Sequence, residues 1–375
     1  MPKRKSMGYL MIMQQLKSMV KAFCYYCSYY DLVYRFSKIK DKEGRLLILT
    51  YHDLLDEVKP GDPQGKMFQL RPSTTISQFE VHLQVLKKRF NVVSLPDIAR
   101  EIRDKGRLEN DCVVITFDDG YESFYSLAYP LLRRYNFPAT VFLPTGFINN
   151  PKMFWWDELL QIVFHAVSPH KPTSALISIM GEKLSNKLCA AGNEARRQRD
   201  FLESLEVYFR DIDDGEREEK IENLKEILAS NQDVKSPSLK ILSWDQIAEM
   251  SQSGVSFGSH TCSHPNLKFA SLEQVEKELK QSKEIIEKNI KERVVCFAYP
   301  YAGDFETHLR VKPILNKLKY ECACTCLIGV NLSTFDPFFL KRITLPMTMF
   351  SPVITRELLL SYSGRFNEAS IYARS

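Results

Sequence analysis

The chain has 375 residues, 44% of them hydrophobic, which suits one globular domain with additions and excludes a disordered or fibrous protein. Its 51 Lys/Arg against 46 Asp/Glu give a net charge of +5, and residues 1–45 alone hold ten basic and three acidic side chains. The rest of the chain is therefore slightly acidic, which excludes a nucleic-acid-binding body.

In chain order, the first feature is a stripe of Tyr9, Met13, Leu16, Val20, Phe23, Cys27, Tyr30 and Tyr34 at alternating four and three spacing. That spacing predicts an amphipathic helix within residues 1–44, lying at a membrane interface or packed on the body of the protein. Gln14, Gln15, Lys17 and Lys21 interrupt it, so neither a membrane span nor an ordinary secretory signal peptide is expected. Cys24 and Cys27 are candidate lipidation sites.

Leu46 to Tyr51 then reads as a buried strand that delivers His52 to a loop. Residues 77–86 have helical apolar spacing, Val92-Val93 reads as a short strand, and 96–102 as a further helix. Cys112-Val113-Val114-Ile115 is a β-branched run ending in Thr116-Phe117-Asp118-Asp119-Gly120, so two carboxylates sit at a strand's C-terminal end. A helix through Leu132 and a strand over residues 139–144 follow.

Between about 157 and 238 the pattern turns charged and helical, which predicts an insertion with solvated helix faces. It opens on Phe154-Trp155-Trp156-Asp157, whose indoles either stack on a sugar ring over the site or simply pack the insertion. Ser243-Trp244-Asp245-Gln246 is a helix start leading to the strand Val255 to Ser259, which delivers His260-Thr-Cys-Ser-His264. A last pairing joins Val294-Val295-Cys296, a predicted strand, to the loop Phe297-Ala298-Tyr299-Pro300-Tyr301.

Asp-Asp-Gly alone reads as a solvated turn, and an isolated His pair as surface or packing. Together, each at the end of a predicted strand, they supply what a hydrolytic metal site needs: a carboxylate and two imidazoles as ligands, with a second carboxylate free as a base. Units of strand and helix in alternation predict a parallel barrel with its chemistry at the strand C-terminal ends.

Thr116 to Gly120, His260 to His264 and Tyr299-Pro300-Tyr301, in that order, resemble the motifs of the polysaccharide deacetylase family, the NodB-homology carbohydrate esterases. The resemblance covers roughly residues 45–150 and 240–345 and implies an irregular seven-stranded (β/α) barrel. It implies an N-deacetylase of an amino sugar in a polysaccharide, an oligosaccharide or a lipid-linked glycan. Carried over by position, it makes Asp118 the base, Asp119, His260 and His264 the ligands of a divalent ion, usually zinc, and the Tyr301 N–H the oxyanion donor. Trp155, Trp156 and Tyr299 are candidate substrate contacts.

Two departures from the family pattern stand out. Ala298 occupies the place of an Arg that pairs with the base, and Arg342 is the candidate replacement, with a structural ion pair as its alternative. No His follows His308, so the family's C-terminal acid is absent; His52 takes that role by resemblance to the branch with an N-terminal Tyr-His. His82, His165, His170 and His308 read as surface or packing. The rival readings are a non-sugar amide hydrolase and a glycan-binding protein without turnover.

The expected organisation is a basic segment 1–44, barrel 45–156, insertion 157–238, barrel 239–350 and an extension 351–375. Nine cysteines with no regular framework predict free thiols, with Cys322, Cys324 and Cys326 on one strand face. A cytoplasmic enzyme, or one peripheral on the inner membrane face, fits those thiols; an extracytoplasmic location is the alternative.

Overall fold

A computed structural model describes residues 44–57, 63–165, 173–192, 194–228, 239–301, 304–332 and 335–345. The expected N-terminal helix with its membrane contact, Cys24, Cys27, His170 and the 351–375 extension lie outside the described residues. No described helix is long and apolar enough to cross a membrane.

The strands are β1 (Leu46–Tyr51), β2 (Leu54–Leu55), β3 (Thr74–Thr75), β4 (Cys112–Phe117), β5 (Ala139–Leu143), β6 (Val255–Ser259), β7 (Cys296–Ala298), β8 (Cys322–Ile328) and β9 (Leu340–Arg342). Seven of them form one parallel sheet in the order β1-β4-β5-β6-β7-β8-β9. Its two edges meet through Leu49 and Ile343, with Thr50 N–H donating to Ile343 O at 3.0 Å and Ile343 N–H to Ile48 O at 2.8 Å. The sheet is thus nearly closed into the expected barrel. Val92 makes only a single bridge to Val113 and is no barrel strand; the run at Val294 starts two residues late, at Cys296.

Alternation along the strands separates two cores. Leu46, Ile48, Val114, Phe142, Ala298, Cys322, Cys324 and Leu340 form one buried cluster with the helix Leu95–Lys105, while the intervening Leu47, Leu49, Val113, Ile115, Val141, Leu143 and Phe297 pack with the outer helices. The first set fills the barrel interior. Its small residues explain the cysteine pattern: a narrow parallel barrel has room for Ala and Cys where Leu would overpack. Gly258 serves the same crowding, since a Cβ there would lie 2.5 Å from the Phe142 ring.

Capping residues start the helices, Ser243 among them as expected, and the helices expected over 77–86 and 96–102 run over Ile76–Arg89 and Leu95–Lys105. Thr75 with Gln78 and Ser243 with Gln246 form capping boxes, and Ser94 caps the helix that carries Pro96 in its first turn. Between β5 and β6 lie the helices Trp155–His165, Ser174–Ala191, Ala195–Arg210 and Asp214–Leu228, which bury Leu159, Phe164, Phe201, Leu205, Phe209 and Leu224 in a second core, together with Met67 and Leu70 of the helix Pro63–Leu70. The charged stretch is therefore a packed helical insertion, and its first helix carries Trp155 and Trp156 back to the barrel mouth.

Candidate active site

Every catalytic candidate sits at or just beyond the C-terminal end of a strand. Asp118 and Asp119 follow β4, His52 follows β1, His260 and His264 follow β6, Tyr301 follows β7, and Arg342 ends β9. Four non-glycine residues here hold left-handed backbone: Asp119 (φ 69), Thr261 (φ 68), His264 (φ 55) and Tyr301 (φ 58). Such strain persists only where the surrounding structure over-determines it, and its concentration at one site marks the site as the place it serves. Gly120 (φ 64) turns the chain away directly after the carboxylates.

Asp119 Oδ1, His260 Nε2 and His264 Nε2 form a compact triangle. The two histidine nitrogens are 3.1 Å apart, and Asp119 Oδ1 lies 3.5 Å from His260 and 3.4 Å from His264. Ligand atoms bound at ~2.1 Å in a tetrahedron stand ~3.4 Å from one another, so the triangle has the dimensions of three protein ligands with a fourth position open. Asp119 Oδ1 is buried and accepts no hydrogen bond, which a cation would remedy. His260 Nδ1 lies 2.8 Å from Ala298 O; as donor to that carbonyl it leaves the Nε2 lone pair facing the triangle. Burial, then His264, pulls the His260 pKa down to about 4, so it is a neutral ligand at ordinary pH. Burial would raise the Asp119 carboxyl, but its histidine neighbours, His264 foremost, hold it well below the usual carboxylate range.

Asp118 has its close partners outside that triangle. Its Oδ1 accepts from Arg342 at 2.7 Å, and its Oδ2 lies 3.9 Å from His52 Nε2. Arg342 is itself buried and placed by Thr325 O at 2.8 Å and Thr50 Oγ1 at 3.1 Å. Burial pushes the Asp118 carboxyl up, yet Arg342 and His260 together outweigh it and leave the group below its ordinary value. His52 is 53% exposed and opens toward solvent, unlike the other site residues. The structure thus brings Arg342 to the position that Ala298 leaves short, on a strand remote in sequence.

The first helix of the insertion supplies an aromatic wall. Trp156 packs edge-on to His264 at 4.8 Å and flat on Phe154 at 4.5 Å, and Tyr301 packs edge-on to His264 at 4.7 Å. Trp155 Nε1 donates to Tyr301 Oη at 2.5 Å, and Trp156 Nε1 to Tyr121 Oη at 2.9 Å. Both indoles are only partly buried, so the wall retains open surface over the histidines.

Tyr299 is a correction. Its side chain is 1% exposed, packs on Phe297 at 5.1 Å and lies 3.3 Å from His308 Nδ1, so it is a core residue and not a substrate contact. Strand alternation explains this: Phe297 and Tyr299 share the outer face, while Cys296 and Ala298 point into the barrel. His82 and His308 are buried packing residues, as read from the sequence.

Several supporting groups escaped the sequence reading. Glu278 accepts from the backbone N–H of Cys262 at 2.7 Å and of Ser263 at 2.9 Å, clamping the loop between the two histidines. Asp157, 2% exposed, accepts from Arg71 at 2.5 Å and from Tyr121 Oη at 3.0 Å, tying the insertion to the Asp118-Asp119 turn. Glu278 lies mid-helix with no local motif to signal it, whereas Asp157 stood beside the tryptophans and was taken only as the start of the insertion.

Comparison with known proteins agrees with the motifs. A family model described as polysaccharide deacetylase matches residues 105–171 and 215–323. A poly-beta-1,6-N-acetyl-D-glucosamine N-deacetylase of Staphylococcus aureus is 32% identical over 118 residues, 30% of this chain and 40% of that protein. The chain spans less than half the length of the curated relatives it matches, between 17% and 47%. Among solved structures, the Streptococcus pyogenes deacetylase PplD, in complex with acetate, superposes with a TM-score of 0.52 at 21% identity, covering 85% of this chain and 99% of that one. IcaB from Ammonifex degensii superposes with a TM-score of 0.51 at 17% identity over 84% and 97% of the two chains. At those identities the superpositions establish a shared fold.

Proposed function

We propose that this chain, which belongs to the polysaccharide deacetylase family, is an enzyme that removes N-acetyl groups from an amino sugar of a glycan by metal-dependent hydrolysis. The observation that carries the reading is the division of labour between adjacent carboxylates: Asp119 turned to His260 and His264, Asp118 turned to Arg342 and His52. A solvated Asp-Asp turn would not bury both residues to 5% exposure or less.

Asp119, His260 and His264 would hold a divalent ion, and their nitrogen and oxygen donors suit zinc. When bound, such an ion supplies Lewis-acid polarisation of the amide and makes water acidic enough to attack near neutral pH. Asp118 accepts the proton of the attacking water, and Arg342 keeps that carboxylate ionised before the reaction. The Tyr301 N–H donates to the developing oxyanion, its turn fixed by the ring contacts to His264 and Trp155. His52, at the mouth and within 3.9 Å of Asp118, passes a proton to the departing amine. Trp155 and Trp156 offer a face on which a sugar ring stacks while the acetyl group points to the triangle.

The test is acetate release from a panel of N-acetylated saccharides, lipid-linked forms included, with chelator and then with zinc added back. Release that falls with chelator and returns with zinc supports the reading; release from simple amides but from no saccharide contradicts it.

A further inference from the structure

The last helix of the insertion sends a buried cation to the aromatic wall. Arg217, on the helix Asp214–Leu228, is 3% exposed. Its guanidinium carbon lies 5.1 Å from the centre of the Trp155 ring, and that indole donates to Tyr301 Oη at 2.5 Å. Arg217 reaches the Tyr301 hydroxyl as well: burial pushes the phenol up, and the neighbouring guanidinium is the foremost influence opposing that push. Three groups from three segments thus converge on one side chain, since His264 meets the Tyr301 ring edge-on at 4.7 Å.

Packing alone does not call for a cation here. The ion-pair partner of Arg217 is Asp214, one turn earlier on the same helix and half exposed, so that pair joins the helix to no other element. One and two turns further on, Ile221 and Leu224 belong to the second core, where an apolar side chain of similar length would fill the space without the cost of desolvating a charge. Tyr301, by contrast, needs restraint. Its backbone is left-handed, a conformation that costs of order 1–3 kcal/mol in a non-glycine residue and persists only where the surroundings over-determine it. The N–H assigned above to the developing oxyanion belongs to this residue, so the anchorage of its side chain sets where that N–H points. A misplacement of about 1 Å at such a group costs on the order of 100-fold in rate.

We propose that Arg217 is a positioning residue for the hydrolysis: it holds the Tyr301 side chain against Trp155, so that the Tyr301 N–H stays aimed at the oxyanion. The inference rests on the deacetylase reading and gives the helical insertion a part in the chemistry as well as in the wall. A donor used only in the transition state is felt in kcat and not in KM.

The experiment uses zinc-loaded full-length protein on whichever N-acetylated saccharide of the panel above the wild type cleaves fastest. Arg217→Met removes the cation and keeps an unbranched apolar side chain; Tyr301→Phe removes the hydroxyl and keeps both the ring and the N–H. Each should lower kcat about tenfold and leave KM within about twofold of wild type. The double variant should lie within about twofold of Tyr301→Phe, because both changes break the same link. Thermal unfolding and zinc uptake report whether each variant folds, and Tyr301→Phe decides alone if Arg217→Met does not. A kcat within about twofold of wild type in folded Arg217→Met, or in Tyr301→Phe, overturns the inference and leaves the deacetylase reading intact. So do losses that multiply in the double variant, which would show that Arg217 acts apart from Tyr301, and a change confined to KM, which would assign Arg217 to the sugar wall. A wild type that releases acetate from no saccharide of the panel is a different result: it overturns the deacetylase reading itself, and this inference with it.

Discussion

Arg342 and Asp118 meet at 2.7 Å across 224 positions of sequence, both side chains 3% exposed. A guanidinium delivered by the last barrel strand thereby does what the third motif, with Ala298, cannot. Breaking a buried pair from one side leaves the other charge uncompensated, typically at ~3–5 kcal/mol. Arg342→Ala should therefore lower stability and cut kcat/KM by about 100-fold. The sign for pH follows from the shift. A depressed folded-state pKa stabilises above the unfolded value of ~3.9, and that stability is lost as pH falls through the folded value. Without Arg342 the carboxyl rises, so the acid limb of the pH–rate profile moves to higher pH. Arg342→Lys should restore part of that displacement, and an acid limb that stays put would contradict the pairing's role.

His52 predicts the opposite pattern of stability and rate. With 53% of its side chain exposed it contributes little to folding, so His52→Ala should leave the unfolding temperature within a degree or two of wild type. Its kcat should nevertheless fall by about 100-fold as general acid catalysis is lost. Steady-state kinetics beside a melting curve separate the two effects; an undiminished kcat removes His52 as the acid.

Zinc should stabilise the fold through the triangle. At free metal a hundred times Kd, mass action adds ~2.7 kcal/mol, visible as a rise in unfolding temperature. His264→Ala should lose that rise and the tight component in a zinc competition titration. An equal rise in the variant would place the ion elsewhere.

Glu206 offers a pH test away from the chemistry. Burial, offset in part by Arg71, raises its carboxyl to about 7. A folded-state pKa above the unfolded value of ~4.3 means the folded protein holds the proton longer, so this group costs stability as pH rises from about 4 to 7. Glu206→Gln should raise the unfolding temperature relative to wild type at pH 8 and not at pH 4. Equal differences at both values would show that the carboxyl titrates normally.

The Trp156 indole is held by one hydrogen bond, to Tyr121. Trp156→Phe should cost about 1 kcal/mol of stability and raise KM only a few-fold, because a ring remains. Trp156→Ala should raise KM about tenfold for saccharides. Similar KM values for the two variants would make the wall a packing element only.

How much of this was legible beforehand follows from range in sequence. Motifs confined to a few residues at strand ends, such as Thr116 to Gly120 and His260 to His264, declare both the ligand types and the elements that deliver them. The barrel was legible for the same reason: buried parallel strands read as β-branched runs between helical periods. Arg342 could be named only as a candidate, because its pairing depends on barrel closure that brings β9 beside β1. Tyr299 was misread because it was taken as part of a loop, whereas the alternation of β7 carries on through it and turns it to the outer face with Phe297. The Val92 segment stays a single bridge on the edge of β4 that faces β5, an edge that β5 itself takes over from Thr116 onward. Asp157, Arg71 and Glu278 were invisible since each acts across a tertiary interface without a motif of its own.

The most direct measurement is acetate release by Asp118→Asn with its zinc content determined in the same sample. Asn keeps the shape and removes the base, while Asp119, His260 and His264 remain. The account predicts zinc bound as in the wild type and acetate release reduced at least about 100-fold on an N-acetylated oligosaccharide. Full acetate release with zinc bound would contradict the division of roles between the two carboxylates.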